Sequence, residues 1–444
     1  MIVQRGCLSG SEAEFGRRDF IKVGSLGFLG IHLAQALRLE AATGGKLEGK
    51  AKSCILVFLE GGPSQVDTWD PKPGESSFKP ISTNVPGIQI SELLPRVAKN
   101  MDKLALIRSM HTEETNHTQA IHYAITGHRP NPAMRFPSLG SIVSKEMGSR
   151  NNIPPQITEP QFDGDDPFRF EVFKGAFLGA EYDSLVLPDP SEKDFQVPDL
   201  SLPKTITAER IADRRAFLSV VDAAYRQKVE YAEHASLDKF TEQALKMVLS
   251  PSVKQAFDLG QESDKTKDAY GRNRFGQSVL LARRLVESGS RFVTAAGYGF
   301  QAWDTHSDND KTLGQKLMPT LDQTLSTLLE DLKQRGLLDS TIVIVMGEFG
   351  RTVRNPKNGR DHWPQCWSVA VGGGGIAGGQ IVGSSDPQGQ YVKDDMVTMG
   401  DLFATVYKAF GIDWEKAYMS PIGRPVKIAN SIDDLTGTPI KQLV

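Results

Sequence analysis

The stretch TIVIVM at 341–346 contains no charged residue and shows no alternation of polar and apolar side chains. Side chains on a strand point to opposite faces in turn, so a run like this needs both faces covered, as in a parallel sheet between two helical layers. SCILVFLEGG (53–62), LALIRSM (104–110) and RFVTAAGYG (291–299) repeat the pattern, and WSVAVGGGG from Trp367 is a fifth strand. Helical stretches lie between them. HTQAIHYAITG (117–127) ends in a glycine stop, FGQSVLLARRLVESG is amphipathic, and a third has Leu321, Leu325, Leu328, Leu329 and Leu332 on one stripe. MGDLFATVYKAFGI supplies a last helix. Alternating strands and helices predict an α/β fold: a large, mostly parallel central sheet flanked by helices on both faces.

Two segments fall outside that alternation. Residues about 150–260 begin with Pro-rich, acidic loops and continue into a long polar helical stretch from about 206 to 250, which reads as an inserted cap or lid. Residues 1–44 carry Arg17-Arg18, then Asp19-Phe20-Ile21-Lys22, a Gly/Leu-rich stretch, and small residues around Ala41 and Ala42. This pattern resembles a bacterial twin-arginine signal, read by the export machinery, and implies a periplasmic or otherwise exported protein. Its apolar part is too short and interrupted to span ~30 Å of hydrocarbon, so no stable membrane span is expected. The signal is set aside and 45–444 is taken as one domain with its insertion.

Four strands end in clusters of ligand-capable side chains. The first carries Glu60, Asp67 and Asp70; the second His111, Glu113, Glu114, His117 and His122; the third Asp304, His306 and Asp308; the fourth Glu348, Arg351, Asp361 and His362. In open α/β sheets the carboxyl ends of the strands are where ligands bind. Mixed Asp/Glu/His sets without thiolate suit zinc, manganese or iron. Asp304 and His306, two apart on an extended segment, share a side, and Asp361 next to His362 could orient it. Arg351 offers a fork for a phosphate or sulfate oxygen. Asp67 and Asp70 also fit turn caps, Glu113-Glu114 a solvated pair, and His122 a packed histidine.

The totals exclude other chemistries. A net charge of −3 without a dense Lys/Arg block argues against a nucleic-acid partner. Three scattered cysteines, with no CxxC, give neither a disulfide framework nor a thiolate zinc site.

LEGGPSQVDTWDPKP, SMHTEETNHTQAIHYAITGHRP, PSLGSIVSKE, AWDTHSDN and GEFGRT…GRDHWP together resemble the bacterial family known as domain of unknown function 1501, over essentially the whole chain. That family is grouped with the alkaline phosphatase and sulfatase superfamily. The resemblance implies an alkaline phosphatase-like fold with metal ligands at the strand ends. Glu60 before Gly61 is similar to the superfamily's first-strand metal aspartate. Glu348 is similar to the acid of its late Asp-His pair, with the histidine replaced by Phe349. Asp304 and His306 are similar to its Asp-xxx-His ligands at shorter spacing, and His362 to its last metal histidine. Where the superfamily has a Ser, Thr or modified Cys nucleophile, this chain has Asn116-His117. His117 is thus a candidate nucleophile, general base or further ligand, with Thr115 or Thr118 able to supply a hydroxyl.

The expectation is an exported hydrolase of phosphate or sulfate esters, small-molecule or polysaccharide. It would use one or two divalent ions, zinc first and manganese, iron or calcium as alternatives. The expected metal ligands are Glu60, Asp304, His306, Glu348, Asp361 and His362, with His117 and Arg351 catalytic. A non-catalytic protein binding, for example, sulfated polysaccharide is the alternative, and a redox enzyme a third reading.

Overall fold

The computed structural model describes residues 48–160, 171–197 and 247–444, with single positions at 210, 213 and 216. Glu48–Val444 forms one compact unit. The arginine pair read as an export signal, and nearly all of the helical stretch 206–250, lie outside the described residues.

Among the described residues, eight strands form the main sheet: β1 Ser53–Phe58, β2 Ala105–Met110, β3 Gln156–Glu159, β4 Leu185–Val186, β5 Phe292–Ala295, β6 Thr341–Met346, β7 Trp367–Gly372 and β8 Ile381–Val382. Their spatial order is β8-β2-β7-β6-β1-β5-β3-β4. β1 runs parallel to β6 from Ser53↔Thr341 to Phe58↔Met346, and parallel to β5 on its other side. β7 is antiparallel to both β2 and β6, which leaves those two parallel to each other. The four strands that precede the polar clusters therefore all end at one edge. The segment expected as a cap contributes β3 and β4 to the sheet, parallel to β5.

The unalternating runs have a direct packing reason. On β1, Ile55 and Val57 face one core while Cys54, Leu56 and Phe58 face the other; on β6, Val343 and Val345 oppose Ile342, Ile344 and Met346 in the same way. The first core is covered by helices over Arg274–Ser288 and Met318–Gln334, the second by α1 His117–Thr126 and by helices over Leu139–Met147 and Met399–Phe410. The helix at 318 is continuous with a π-turn at Leu313–Leu317 and an α-turn at Asn309–Thr312, so it begins one loop earlier than its apolar stripe predicts. Among the described residues no helix is long and apolar enough to cross a membrane.

α1 starts at Asn116, whose side chain accepts from the Thr118 and Gln119 N–H groups, and stops at Gly127, with φ of 72°. Beyond that stop the His128 ring stacks on Phe136 at 4.2 Å and its Nε2 lies 3.1 Å from the Lys427 carbonyl. Burial pushes His128 down to about 4 from its ordinary 6.5, against the pull of that carbonyl. The unfolded chain binds this proton near pH 6.5 and the folded chain does not, so the native state loses stability as pH falls from 6.5 toward 4. The loss amounts to up to about 3 kcal/mol. Urea unfolding between pH 7.5 and 4.5 should show it, and His128→Gln should flatten that part of the profile.

Candidate metal centre

After β1 the chain reaches Gly61 and Gly62, with φ of 115° and 76°. A Cβ on Gly61 would sit 2.4 Å from the Asp304 nitrogen, so only glycine lets the loop after β1 lie against the loop after β5. The two are joined by the Trp303 N–H, which donates to the Glu60 carbonyl at 3.0 Å. The freed Gly61 N–H donates to both oxygens of Glu348, at 3.0 and 3.2 Å, at the end of β6. Residues Gly350–Arg351 then pair antiparallel with His362–Trp363, setting Arg351 beside His362. Asn116, by capping α1, sets His117 at the helix's first position.

These loops bring three imidazoles to one carboxylate. His117 Nε2 lies 3.3 Å from Asp304 Oδ2, and Nε2 of His306 and His362 lie 3.1 and 3.2 Å from Asp304 Oδ1. His306 and His362 Nε2 are 3.0 Å apart. Each ring's other nitrogen faces an oxygen acceptor: His117 Nδ1 meets Glu348 at 2.6 Å, His306 Nδ1 meets Asp361 at 2.8 Å, and His362 Nδ1 meets the Thr115 carbonyl at 2.7 Å. A proton on each Nδ1 is favoured by the acceptor it faces, which makes the Nε2 atoms available as ligands to an ion at the point where they meet.

This arrangement fits a divalent cation. Two atoms each ~2.0–2.1 Å from a tetrahedral zinc ion stand ~3.3 Å apart, close to the spacings here. His117, Asp304 and His362 each offer an atom within 4.8 Å of the others. His117 Nε2 is buried without an aligned hydrogen-bond partner, its 3.3 Å approach to Asp304 being an ion-pair distance only. Burial alone would lower the His117 imidazole, but Asp304 and Glu348 outweigh it and push it up to about 9. Burial would raise Asp304, yet the His117 and His362 rings and the Arg351 guanidinium hold it well below the ordinary carboxylate range. Negative charge gathered around inward lone pairs is what a cation requires.

The expected site residues therefore divide. Asp304, His306 and His362 converge, and His117 joins them as a potential ligand. Glu348 and Asp361, expected to ligate, stand behind the rings as Nδ1 acceptors. Glu60 is buried at the end of β1 and is outside the converging group. Arg351, expected as a fork open to an oxyanion, is fully buried; it donates to the Gly61, Gly62 and Arg360 carbonyls and to Asp304. Its guanidinium aims Asp304 rather than meeting solvent.

One supporting pair was invisible in the sequence. Arg360 grips Asp67 with Nε–Oδ2 at 2.7 Å and Nη2–Oδ1 at 3.0 Å, both side chains fully buried. Asn309 donates to the same carboxylate at 3.0 Å and accepts from Thr305 at 2.6 Å. This network locks the segments that carry His306 and His362. Nothing local marks a pairing between residues 293 positions apart. Asp67→Asn should destabilise the protein by about 3–5 kcal/mol in urea unfolding, because it strands a buried guanidinium. Asp67→Leu with Arg360→Met should recover much of that loss, since an apolar pair leaves no buried charge uncompensated.

Residues 51–440 match the model of a family described as Protein of unknown function (DUF1501). No curated protein matches the sequence. Among solved structures, the chain is similar to PsFucS1 sulfatase from Pseudoalteromonas sp., with 13% identity, a TM-score of 0.39, and coverage of 91% of this chain and 75% of that one. It is similar to alkaline phosphatase from the Antarctic bacterium TAB5, with 14% identity, a TM-score of 0.35, and coverage of 74% and 94%. A third is a protein in the alkaline phosphatase superfamily from Vibrio parahaemolyticus, with 13% identity, a TM-score of 0.39, and coverage of 82% and 68%.

Proposed function

We propose, for a chain that belongs to the DUF1501 family of proteins of unknown function, the activity of a metal-dependent hydrolase of phosphate or sulfate esters. The observation that carries this reading is the convergence of three Nε2 atoms on Asp304 while every Nδ1 is tied to an oxygen. His117, Asp304 and His362 would hold the ion, with His306 beside them, and zinc suits this nitrogen-rich set best. When bound, such an ion supplies Lewis acidity and the means to activate water near neutral pH.

The chain's own groups have separate tasks. Glu348 keeps the His117 proton on Nδ1, and Arg351 keeps Asp304 ionised and aimed. The positive end of α1, which starts at His117, favours an anionic group at the same place. His117 replaces a hydroxyl at the first position of that helix, and its Nε2 is turned toward Asp304. We therefore assign it as a ligand and water as the attacking group. Water's oxygen would bond to phosphorus or sulfur as the ester oxygen leaves with a proton. The arginine pair at 17–18 supports export by the twin-arginine route.

Protein purified without chelators should carry about one divalent ion per chain by mass spectrometry, and His362→Ala should lose it. Loaded protein should turn over at least one of a panel of phosphate monoesters, diesters and sulfate esters. His362→Ala should lower that rate by about 10³-fold or more, the scale on which loss of Lewis-acid stabilisation acts. A wild-type protein that takes up no added metal would end this reading. Metal without turnover across the panel would favour a protein that binds an anionic polysaccharide.

A further inference from the structure

The four inward-facing residues are not equally held. His117 and Asp304 side chains are 9% and 18% exposed and His362 is 23% exposed, whereas His306 is 46% exposed. His117 lies against Phe349, its ring 4.9 Å away, and its anchor Glu348 is wholly buried. The anchor of His306 is Asp361, whose side chain is 56% exposed. His306 is also outside the trio whose atoms all lie within 4.8 Å of one another. The anchor behind His117 is thus sealed from water, whereas the anchor of His306 stands in contact with it, the weaker kind of restraint. The other contacts of the His306 ring, Asp304 at 3.1 Å and His362 Nε2 at 3.0 Å, lie within the site itself.

The main chain at His306 is immobilised even so. Asn355 donates to its carbonyl at 3.1 Å, and the Arg360 N–H donates to the Thr305 carbonyl at 2.9 Å. A Cβ on Gly359 would fall 2.0 Å from the His306 carbonyl, so that loop lies flush against it. The ring alone can move without shifting the main chain, by releasing Asp361, Asp304 and His362.

Resting on the metal-centre reading, we propose that His306 is an exchangeable ligand, which closes the ion's coordination in the resting protein and yields its position to an oxyanion of the ester. A site with three fixed protein ligands and one position open to substrate is the catalytic rather than the structural arrangement. A side chain that competes for that position lowers the apparent affinity for any oxyanion by the fraction of time the position is free. The exchange thereby screens ligands, because only a group that binds the ion better than a tethered imidazole enters.

The sign of one effect tests this. Inorganic phosphate is titrated by calorimetry into zinc-loaded wild-type protein and zinc-loaded His306→Ala, with zinc content measured in both. The expected result is one zinc ion retained in each, and phosphate bound more tightly by the variant, by roughly three-fold or more, as removing a competitor requires. The visible spectrum of the cobalt(II) wild-type protein should also change on adding phosphate and approach that of the phosphate-treated variant. Phosphate bound equally or more weakly by His306→Ala would overturn the proposal, since a fixed ligand or substrate contact gives that sign. Loss of zinc from the variant alone would overturn it too, by making His306 indispensable. Zinc absent from both proteins would remove the metal centre itself, an outcome distinct from the other two.

Discussion

A single buried carboxylate organises this protein. Glu348, at the end of β6, accepts the Gly61 N–H from the loop after β1 and meets Nδ1 of His117 at the start of α1. It therefore links two adjacent strands to the helix that follows a third. A buried carboxylate is tolerated only with its hydrogen bonds satisfied, so the position of His117 and the path of the Gly61 loop are mutually dependent. The approach of Gly61 to Asp304 then brings in the loop after β5.

Around that link the protein keeps two guanidinium groups out of water and gives both to carboxylates. Arg351 aims Asp304 into the convergence point, and Arg360 holds Asp67 beneath the loops of His306 and His362. Buried pairs of this kind add little net stability but are expensive to break. Their contribution is positional: the rings reach a common point because the segments beneath them have one arrangement that satisfies every charge. The outermost ring, His306, is the exception, with a fixed main chain and an exposed side chain.

The architecture was legible because continuous apolar runs have few uses. Cys54 to Phe58 and Thr341 to Met346 each feed two cores at once, which a strand does only in a sheet covered on both sides. Asp304, His306 and His362 could be singled out because imidazoles and acids recur just after such runs. Glu348 and Asp361, expected as ligands, meet the Nδ1 atoms of His117 and His306. Sequence does not carry that distinction, because a carboxylate that ligates and one that orients a ligand are the same residue type at the same strand end. Arg351 is buried against Asp304, a placement set by burial and not by residue identity, which is why sequence does not reveal whether a guanidinium faces a substrate or a neighbouring carboxylate.

The sequence by itself determined the layered fold and the edge of the sheet at which polar chemistry gathers, because hydrophobic periodicity and residue type are local properties. Only the tertiary structure decided which atoms meet. The antiparallel entry of β7, the pairing of Asp67 with Arg360, the Thr115 carbonyl behind His362 and the inward turn of each Nε2 depend on contacts between segments distant in the chain. Such contacts form where packing and charge satisfaction agree in three dimensions, and no short window of sequence contains both partners.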